Sequence, residues 1–460
     1  MGLSHKLAQY KEFRHGVSHC TFNPDGPGVV RIHLIPPKFR LFSSDSYIVI
    51  LNGYYLLPIG YAWALVLSYF IKEVNTYDGK PIGDEDEIKI IENTIKRIHK
   101  VYPAINPETV REDLYEILDV LFAVARGDGE DFDIEKLSIR AYAKHMTAPH
   151  RIDLMVSAMT DENGSWKCNQ KCRFCYAAGQ PKSAVRELTT TEWKQVIDKL
   201  IASRVPMLTF TGGEPTLRDD IDVLISYAKT CVTRLNTNGI LLTKELVEKL
   251  KAAGLDSVQI TLYSHDHKVH NALVGADRFD DTVNGIKNAV AAGLDVSINT
   301  PLCQENSDYR ATLAFIHSLG VRFVTASGLI CTGMADKTHM ANDLTEDALL
   351  DVLKDAKAYC DENGMEIDFT SPGLIAKAEL EALGMNTPIC GAALSNMAIA
   401  PDGEVIPCQS WLTAEAGLGN ILKTPFKKIW KHKTALALRS MTEEEALACP
   451  FRTNKEGVSK

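Results

Sequence analysis

The sequence predicts an α/β protein in which a parallel sheet flanked by helices lies between two smaller domains. Its 460 residues, 45% apolar and 24% charged, are too many for one compact core and indicate two or three domains. From about residue 151, short apolar runs alternate with amphipathic segments. This alternation is typical of parallel strands joined by helical crossovers.

Residues 1–150 are predicted to form a small α+β domain. The predicted strands are residues 29–35, 47–51 and 54–57, and the predicted helices are residues 61–73, 84–100 and 107–125. The turn signal Asn52-Gly53 predicts a hairpin. The uncharged stretch 47–71 is long enough for a membrane span, which is the alternative to a buried hairpin and helix.

Charge and the N-terminal sequence bear on partners and location. The net charge of −9 argues against a protein that holds a nucleic-acid backbone. The first 16 residues are polar and contain no apolar export segment. We therefore expect a cytoplasmic protein with reduced thiols that binds no nucleic acid and no membrane.

Residues 151–343 are predicted to contain six strand–helix units. The strands are residues 152–158, 207–210, 232–235, 257–262, 295–299 and 322–325, and the helices are residues 191–203, 219–229, 243–253, 280–292 and 307–319. Functional loops follow the carboxyl ends of such strands. A helix at residues 344–362 opens the last region, 344–460, which is richer in Gly, Pro and Cys.

Three cysteines follow the first strand of this sheet. Cys168, Cys172 and Cys175 lie within eight residues, so their thiolates can converge on one metal centre. A zinc site usually has a fourth Cys or His close by, and the flanking residues offer none. A chance cluster or a partial zinc site is the alternative.

A second motif, Gly212-Gly213-Glu214-Pro215, follows the next strand. Paired glycines let backbone carbonyls approach a ligand closely, and a carboxylate beside them suits an ammonium group.

The CxxxCxxC spacing, with Phe174 before the last cysteine, and the GGEP sequence resemble the radical S-adenosylmethionine (SAM) superfamily. The resemblance implies a partial (β/α)6 TIM barrel in which three catalytic cysteines, Cys168, Cys172 and Cys175, hold a 4Fe-4S cluster with SAM on the fourth iron. It implies SAM contacts from Phe174, Tyr176, Gly212, Gly213, Glu214, Pro215, Asn238, Thr261 and Asn299. Many relatives have an Arg for the SAM carboxylate where this chain has Val274, and Arg278 is the candidate substitute.

Three late cysteines, Cys390, Cys408 and Cys449, resemble the SPASM and twitch extensions of radical SAM peptide modifiers. The resemblance implies one auxiliary iron–sulfur cluster on these thiols, which has an open iron or is completed by a non-Cys group or by Cys331. Buried structural cysteines are the alternative. The other thiols, Cys20, Cys231, Cys303, Cys331 and Cys360, are expected in cores, although Cys303 and Cys331 follow strand ends and are candidate hydrogen-atom donors.

The predicted N-terminal hairpin and helices resemble the winged-helix, PqqD-like domains of ribosomal peptide maturases, which add a leader peptide to a sheet edge. A domain that only covers the barrel is the alternative. Together the resemblances imply that SAM is cleaved reductively to a 5'-deoxyadenosyl radical, with electrons from a flavodoxin or ferredoxin. The radical would modify a precursor peptide by oxidative intramolecular cross-linking, forming a thioether or C–C bond.

Other reactions stay open at this point. They are peptide epimerisation, formylglycine-type maturation, small-molecule oxidation, and a metal-binding scaffold without turnover.

Overall fold

The computed structural model describes residue 13 and residues 18–26, 28–37, 46–129, 136–337 and 342–450. The chain divides into two compact units. Residues 1–150 form the N-terminal unit together with the segments 201–206 and 230–232, and the remaining residues form the second unit.

The N-terminal unit contains an antiparallel sheet in which four strands pair in chain order. They are β1 (Ser18–Phe22), β2 (Val30–Ile35), β3 (Tyr47–Leu51) and β4 (Tyr55–Ile59). Its helices are Tyr61–Val74, Asp84–Val101, Pro107–Arg126 and Ile139–Tyr142, with single turns at Asn75–Tyr77 and Ala143–His145. Buried apolar side chains of the sheet and the three long helices form one core.

The predicted hairpin and helix are confirmed. Asn52 and Gly53 both have positive φ angles, 48° and 67°, as a tight turn between β3 and β4 requires. The stretch 47–71 is therefore β3, β4 and most of the first long helix. No helix in the described part of the chain is long and apolar enough to cross a membrane.

The second unit is built on a ten-stranded sheet of order β11-β10-β9-β8-β7-β6-β5-β12-β13-β14. The strands are β5 (Arg151–Ser157), β6 (Met207–Gly212), β7 (Val232–Thr237), β8 (Ser257–Thr261), β9 (Asp295–Pro301), β10 (Phe323–Ser327), β11 (Glu366–Phe369), β12 (Asn396–Ile399), β13 (Glu404–Ile406) and β14 (Gly419–Asn420). β5 to β10 follow one another across the sheet, as the predicted partial barrel requires. The pairs β5–β6, β7–β8, β8–β9 and β9–β10 are parallel.

Helices cross between these strands and continue to the end of the described chain. They are Thr190–Ala202, Ile221–Tyr227, Lys244–Ala252, His267–Val274, Phe279–Ala291, Tyr309–Ser318, Gly333–Lys337, Glu346–Asn363, Lys377–Ala382, Phe426–Trp430, Lys433–Arg439 and Glu443–Ala446. Single 3-10 turns lie at Pro181–Ser183, Pro215–Leu217, Gln304–Asn306 and Ala414–Ala416.

The sheet is wider than the six predicted strands. β11 pairs in parallel with β10 at one edge, and β12 pairs in parallel with β5 at the other. The β12–β13 hairpin then adds antiparallel strands from the C-terminal region. β11 escapes sequence prediction because it has only four residues, too few for its alternation of exposed and buried positions to be distinguished from chance.

One face of the barrel strands is polar. The register places Asp153 of β5 beside Thr209 of β6, and Asn299 of β9 beside Thr325 of β10. The alternate residues Ile152 and Leu154 are apolar and fully buried. A parallel sheet whose two faces were both sealed would be apolar on both, so this polar face indicates a lumen that holds polar ligands.

Candidate active site

The cysteine loop, residues 166–180, leaves the carboxyl end of β5 and is held by backbone hydrogen bonds. The Lys171 and Arg173 N–H groups donate to the last carbonyls of the helix His267–Val274, those of Val274 and Leu273, both at 2.9 Å. The Met334 N–H donates to the Cys175 carbonyl at 2.9 Å. The loop is thus fixed from two sides, by elements that follow β8 and β10.

The three thiols of this loop form no disulfide and are partly buried. Cys168 Sγ lies 3.5 Å from the Gly213 carbonyl, which places the first cysteine against the GGEP motif. Burial raises the pKa of Cys168 to about 12, and burial together with the neighbouring Cys175 and Cys168 thiols raises the pKa of Cys172. Because a metal ligand has to be a thiolate, metal binding at this loop releases the protons that burial otherwise keeps on these thiols.

The donor groups around the thiols fit an iron–sulfur cluster. Asn169 Nδ2 and Gln170 Nε2 are buried donors that have no hydrogen-bond partner among the described residues. Such N–H groups bind cluster sulfurs and tune the reduction potential. No three His, Cys, Asp or Glu side chains of the described residues close around a single metal ion. A cluster takes each thiolate at a different iron and needs wider spacing than one ion does.

The glycines of the GGEP motif bring backbone close to backbone. Gly212 has a φ of 134°, and a Cβ there would collide with the backbone of Ser157. A Cβ on Gly213 would lie 2.6 Å from the Ala158 carbonyl oxygen. Only glycine at both positions lets the end of β6 pack on the end of β5, beside Cys168.

The Glu214 carboxylate is buried and fully hydrogen-bonded. Oε1 accepts from the Thr216 N–H at 3.0 Å and from the Thr216 and Thr237 hydroxyls at 2.6 Å each, and Oε2 accepts from the Asn238 N–H at 2.8 Å. Burial raises the pKa of Glu214 and these donors oppose that rise. In this arrangement the carboxylate joins the ends of β6 and β7, and Pro215 begins the short helical turn that follows.

The other predicted SAM contacts lie at the same edge of the sheet. Asn238 Nδ2 donates to Asn169 Oδ1 at 2.6 Å and so connects the end of β7 to the cysteine loop. Thr261 of β8 is in register with Asn299 of β9, whose Oδ1 accepts from the Thr325 hydroxyl at 2.9 Å.

Phe174 and Tyr176, the neighbours of Cys175 in the chain, pack in different places. Phe174 is buried in an apolar cluster with Val274 and Cys303, and Cys172 packs at the margin of this cluster. Tyr176 packs against a second apolar cluster, to which Met155 and Leu412 belong.

Two arginines near the loop are already paired. Arg278 forms an ion pair with Asp281 at 2.9 Å, and both side chains are about half exposed. Arg173 binds both carboxylate oxygens of Glu305, at 2.7 and 2.8 Å. Val274 is buried and its carbonyl already accepts from the Lys171 N–H, so this residue supplies no group for a SAM carboxylate.

The three C-terminal cysteines approach one another. The Gly403 turn, with a φ of 86°, joins β12 to β13 and returns the chain to Cys408. The Cys390 N–H donates to the Ala446 carbonyl at 2.6 Å, which brings the segment before Cys449 to Cys390. Burial, with added repulsion from Cys390 and Cys449, raises the pKa of Cys408 to about 12.

The remaining thiols divide as follows. Cys20, Cys231, Cys303 and Cys360 are buried, and Cys331 is partly buried. Cys303 belongs to the apolar cluster that contacts Cys172.

Sequence reasoning missed several residues that build the site. Asn169 and Gln170, which lie between Cys168 and Cys172, are not among the predicted site residues, and the helix His267–Val274 was not predicted, although its terminal carbonyls hold the loop. Asn306 was also missed. Its side chain binds the Cys303 N–H and the Tyr263 and Pro301 carbonyls. A side-chain amide three residues after Cys303 was the available signal for such a cap.

Comparison with known proteins agrees with this geometry. Residues 165–316 match the radical SAM superfamily, and residues 390–450 match SPASM, an iron–sulfur cluster-binding domain. The chain is 28% identical over 295 residues to AdoMet-dependent heme synthase of Methanosarcina barkeri, covering 61% of this chain and 83% of that protein. It is 28% identical over 279 residues to mycofactocin maturase MftC of Mycolicibacterium smegmatis, covering 58% and 68%.

Solved structures of Streptococcus suis SuiB share the fold. SuiB bound to S-adenosylmethionine aligns with a TM-score of 0.60 and 17% identity over 88% of this chain and 93% of that one. SuiB bound to its precursor peptide SuiA aligns with a TM-score of 0.58 and 16% identity, covering 86% and 88%. The chain therefore contains a radical SAM domain at residues 165–316 and an SPASM domain at residues 390–450, and the cofactors of these domains are a 4Fe-4S cluster with SAM and an auxiliary iron–sulfur cluster.

Proposed function

We propose that this protein modifies a ribosomally made precursor peptide by oxidative intramolecular cross-linking, through a thioether or C–C bond. Cys168, Cys172 and Cys175 hold the 4Fe-4S cluster, and the Gly213 carbonyl lies beside them where the SAM amino group is expected. When bound and reduced, by a flavodoxin or ferredoxin in this proposal, the cluster would supply the electron that cleaves SAM to a 5'-deoxyadenosyl radical. That radical would take one hydrogen atom from the peptide, and the second hydrogen would leave as a proton, with its electron passing to the auxiliary cluster.

The polar face of the barrel supports a peptide as substrate. Thr209 Oγ1, Ser157 Oγ and Asn236 Oδ1 are buried atoms without a hydrogen-bond partner among the described residues. Peptide backbone supplies the donors and acceptors that such atoms require.

An apolar cavity in the N-terminal unit carries the leader-recognition part of the proposal. It is an open cleft of about 300 Å³ between β3, β4 and two helices, and Leu57, Trp63 and Val120 are among its lining residues. Leader peptides that are added at a sheet edge anchor apolar side chains in such pockets.

The edge of β4 itself is partly occupied. Its Leu56 carbonyl already accepts from the Leu137 N–H at 2.8 Å. Because of that contact, we propose that the leader binds mainly through its apolar side chains in the cavity and less through backbone pairing with β4.

Oxidation of a small molecule is the second candidate. It is favoured by the similarity to AdoMet-dependent heme synthase and to Fe-coproporphyrin III synthase, which is 27% identical over 292 residues and 58% of this chain. The peptide candidate has a different support. The alignment with peptide-bound SuiB covers 86% of this chain, which is more than the second unit contains, so it includes part of the N-terminal unit and supports a shared N-terminal fold.

The proposal is tested by incubating the reconstituted, reduced protein with SAM and a precursor peptide encoded beside it. Cross-linking lowers the peptide mass by two hydrogens and leaves a bond that survives reduction of disulfides. Unchanged mass with an inverted residue would indicate epimerisation. Turnover of an iron coproporphyrin with no change in any peptide would establish the second candidate.

Leader recognition has a separate test. Val120→Arg places a charge at the half-buried rim of the cavity, and Tyr115→Arg places the same charge on an exposed position of the same helix, Pro107–Arg126. We expect the first variant to weaken precursor binding about tenfold, because the longer, charged Arg side chain obstructs the apolar opening that a leader side chain would fill, and the second to leave it unchanged. Equal affinities for the two variants would contradict leader binding at this cavity.

A further inference from the structure

We propose that a seam of contacts couples the two iron–sulfur sites, with Tyr176 and Gln409 as its positioning residues. The seam consists of residues 176–182, which follow Cys175, and residues 409–412, which follow Cys408. The inference rests on the proposed function for the assignment of Cys175 and Cys408 as ligands of different clusters.

The first contact of the seam joins the residues that directly follow Cys175 and Cys408. The Tyr176 hydroxyl donates to Gln409 Oε1 at 3.3 Å, across 233 residues of sequence. Each of these residues is the immediate neighbour of a proposed ligand, Cys175 on one side and Cys408 on the other. This hydrogen bond therefore connects the two cysteine segments, and the same hydroxyl also bonds the Thr211 side chain of β6.

Further hydrogen bonds repeat the pairing along both segments. The Gln180 side-chain amide donates to the Tyr176 carbonyl and, at 3.2 Å, to the Ser410 carbonyl. The Lys182 N–H donates to the Leu412 carbonyl at 2.9 Å. Gln180 and Leu412 are both buried, so these bonds have little competition from water.

Side chains from both segments of the seam pack in the same apolar cluster. Ala177, Ala178 and Leu412 lie in a single buried cluster, with Cys175 and Trp411 at its margin. The Trp411 N–H in turn donates to the Cys408 carbonyl at 3.0 Å, so the cluster reaches both ligands.

The segment after β10 leaves Tyr176 little room to move. The Thr332 hydroxyl donates to the Tyr176 carbonyl at 3.2 Å. A Cβ on Gly333 would collide with the same carbonyl and would lie 2.6 Å from that of Cys175. Tyr176 is thus held at its carbonyl by the segment after β10 and at its hydroxyl by Gln409 and Thr211.

These contacts make the order of the cysteine loop depend on the auxiliary site. A cluster bound at Cys408 fixes Gln409, and through it Tyr176 and Cys175. Without that cluster the segment 409–412 keeps its packing but Cys408 loses an anchor, so Gln409 holds Tyr176 less firmly and SAM binds a less rigid cysteine loop. By linkage, SAM and the auxiliary cluster then stabilise each other's binding.

A double-mutant cycle tests the coupling by the dissociation constant of SAM. Cys390→Ala with Cys449→Ala removes two auxiliary ligands outside the seam, and Tyr176→Phe removes only the hydroxyl. We expect the cysteine pair to raise the SAM Kd about fivefold when Tyr176 is present, the change that one hydrogen bond accounts for. When the same cysteine pair is combined with Tyr176→Phe, it should change the Kd less than about twofold relative to Tyr176→Phe alone.

Iron and sulfide analysis of each variant distinguishes a wrong ligand assignment from an absence of coupling. The cysteine pair should lose one cluster while the cluster of Cys168, Cys172 and Cys175 stays, and Tyr176→Phe should lose neither. Unchanged iron in the cysteine pair would overturn the ligand assignment and the coupling together. With the expected iron loss, additive effects on the SAM Kd would overturn the coupling alone.

A second set of variants tests the coupling if the double variant Cys390→Ala with Cys449→Ala does not fold. Tyr176→Phe and Gln409→Leu should each raise the SAM Kd severalfold, and the double variant should be no worse than either. Tyr309→Phe, at a buried tyrosine of the helix Tyr309–Ser318, is the matched control and should leave the Kd unchanged. Independent effects of Tyr176 and Gln409 would contradict the proposal.

Discussion

Replacing Glu214 by Gln tests how the carboxyl ends of β6 and β7, which Glu214 joins, hold the cysteine loop. The carboxylate accepts four hydrogen bonds, three at Oε1 and one at Oε2. A glutamine has one acceptor oxygen. It keeps most bonds by turning that oxygen to the Thr216 and Thr237 donors, which leaves its NH2 group facing the Asn238 N–H. One buried N–H then loses its partner.

The expected loss of stability follows from that count. An unsatisfied buried donor costs about 1–3 kcal/mol, and exchanging a charged acceptor for a neutral one weakens the other three bonds. We expect the unfolding free energy to fall by about 2–4 kcal/mol. Because the Asn238 side chain also binds Asn169 in the cysteine loop, iron retention should fall as well.

Chemical denaturation followed by circular dichroism, with iron analysis of the same samples, measures both effects. Glu381→Gln is the control, since Glu381 is exposed and lies 3.6 Å from Lys377 in a surface ion pair. A Glu214→Gln protein as stable as the control, with full iron content, would refute the reasoning.

Three further predictions concern the same unit. Gly212→Ala should destabilise the protein by more than about 2 kcal/mol, because φ is 134° and the Cβ meets the Ser157 backbone; thermal unfolding checks this, and an unchanged melting temperature would contradict it. Burial lowers the pKa of His270 to about 4, and its Nδ1 accepts from the Tyr263 N–H, so the neutral ring is the folded form. Its stabilising contribution is complete above the unfolded pKa of about 6.5 and is lost as pH falls towards 4, by up to about 3 kcal/mol. Unfolding of His270→Gln should therefore depend less on pH in that window, and parallel curves would contradict this. Cys408→Ala should lower iron content by one cluster and Cys360→Ala should not, as elemental analysis will show; equal iron in both would remove the auxiliary-site assignment.

Sequence patterns predicted the strand and helix positions well where side chains repeat with a clear period. The run at 207–210 became β6, and the segment 344–362 became the helix Glu346–Asn363, because a buried strand and an amphipathic helix each leave a local signature. β11 and β12 have four residues each and acquire their form by pairing with β10 and β5. Such pairing is not written in any local period.

In the candidate site, too, the local motifs could be predicted from the sequence and the long-range contacts could not. Cysteine spacing and the GGEP sequence located the loop and its neighbour, since both motifs are local in sequence. The contacts that assemble them are not local. Asn169 meets Asn238 across 69 residues, and Tyr176 meets Gln409 across 233. No sequence period predicts such pairs, because they depend on how the completed sheet brings strand ends together.

Production of 5'-deoxyadenosine from SAM is the most direct test of the central claim that Cys168, Cys172 and Cys175 hold the catalytic cluster. The protein is reconstituted anaerobically with iron and sulfide, reduced with dithionite, and compared with the variant in which all three cysteines are alanine. We predict 5'-deoxyadenosine from the unmodified protein and none from the variant, whose circular dichroism should remain that of a folded chain. Cleavage of SAM that survives the triple substitution would contradict the account.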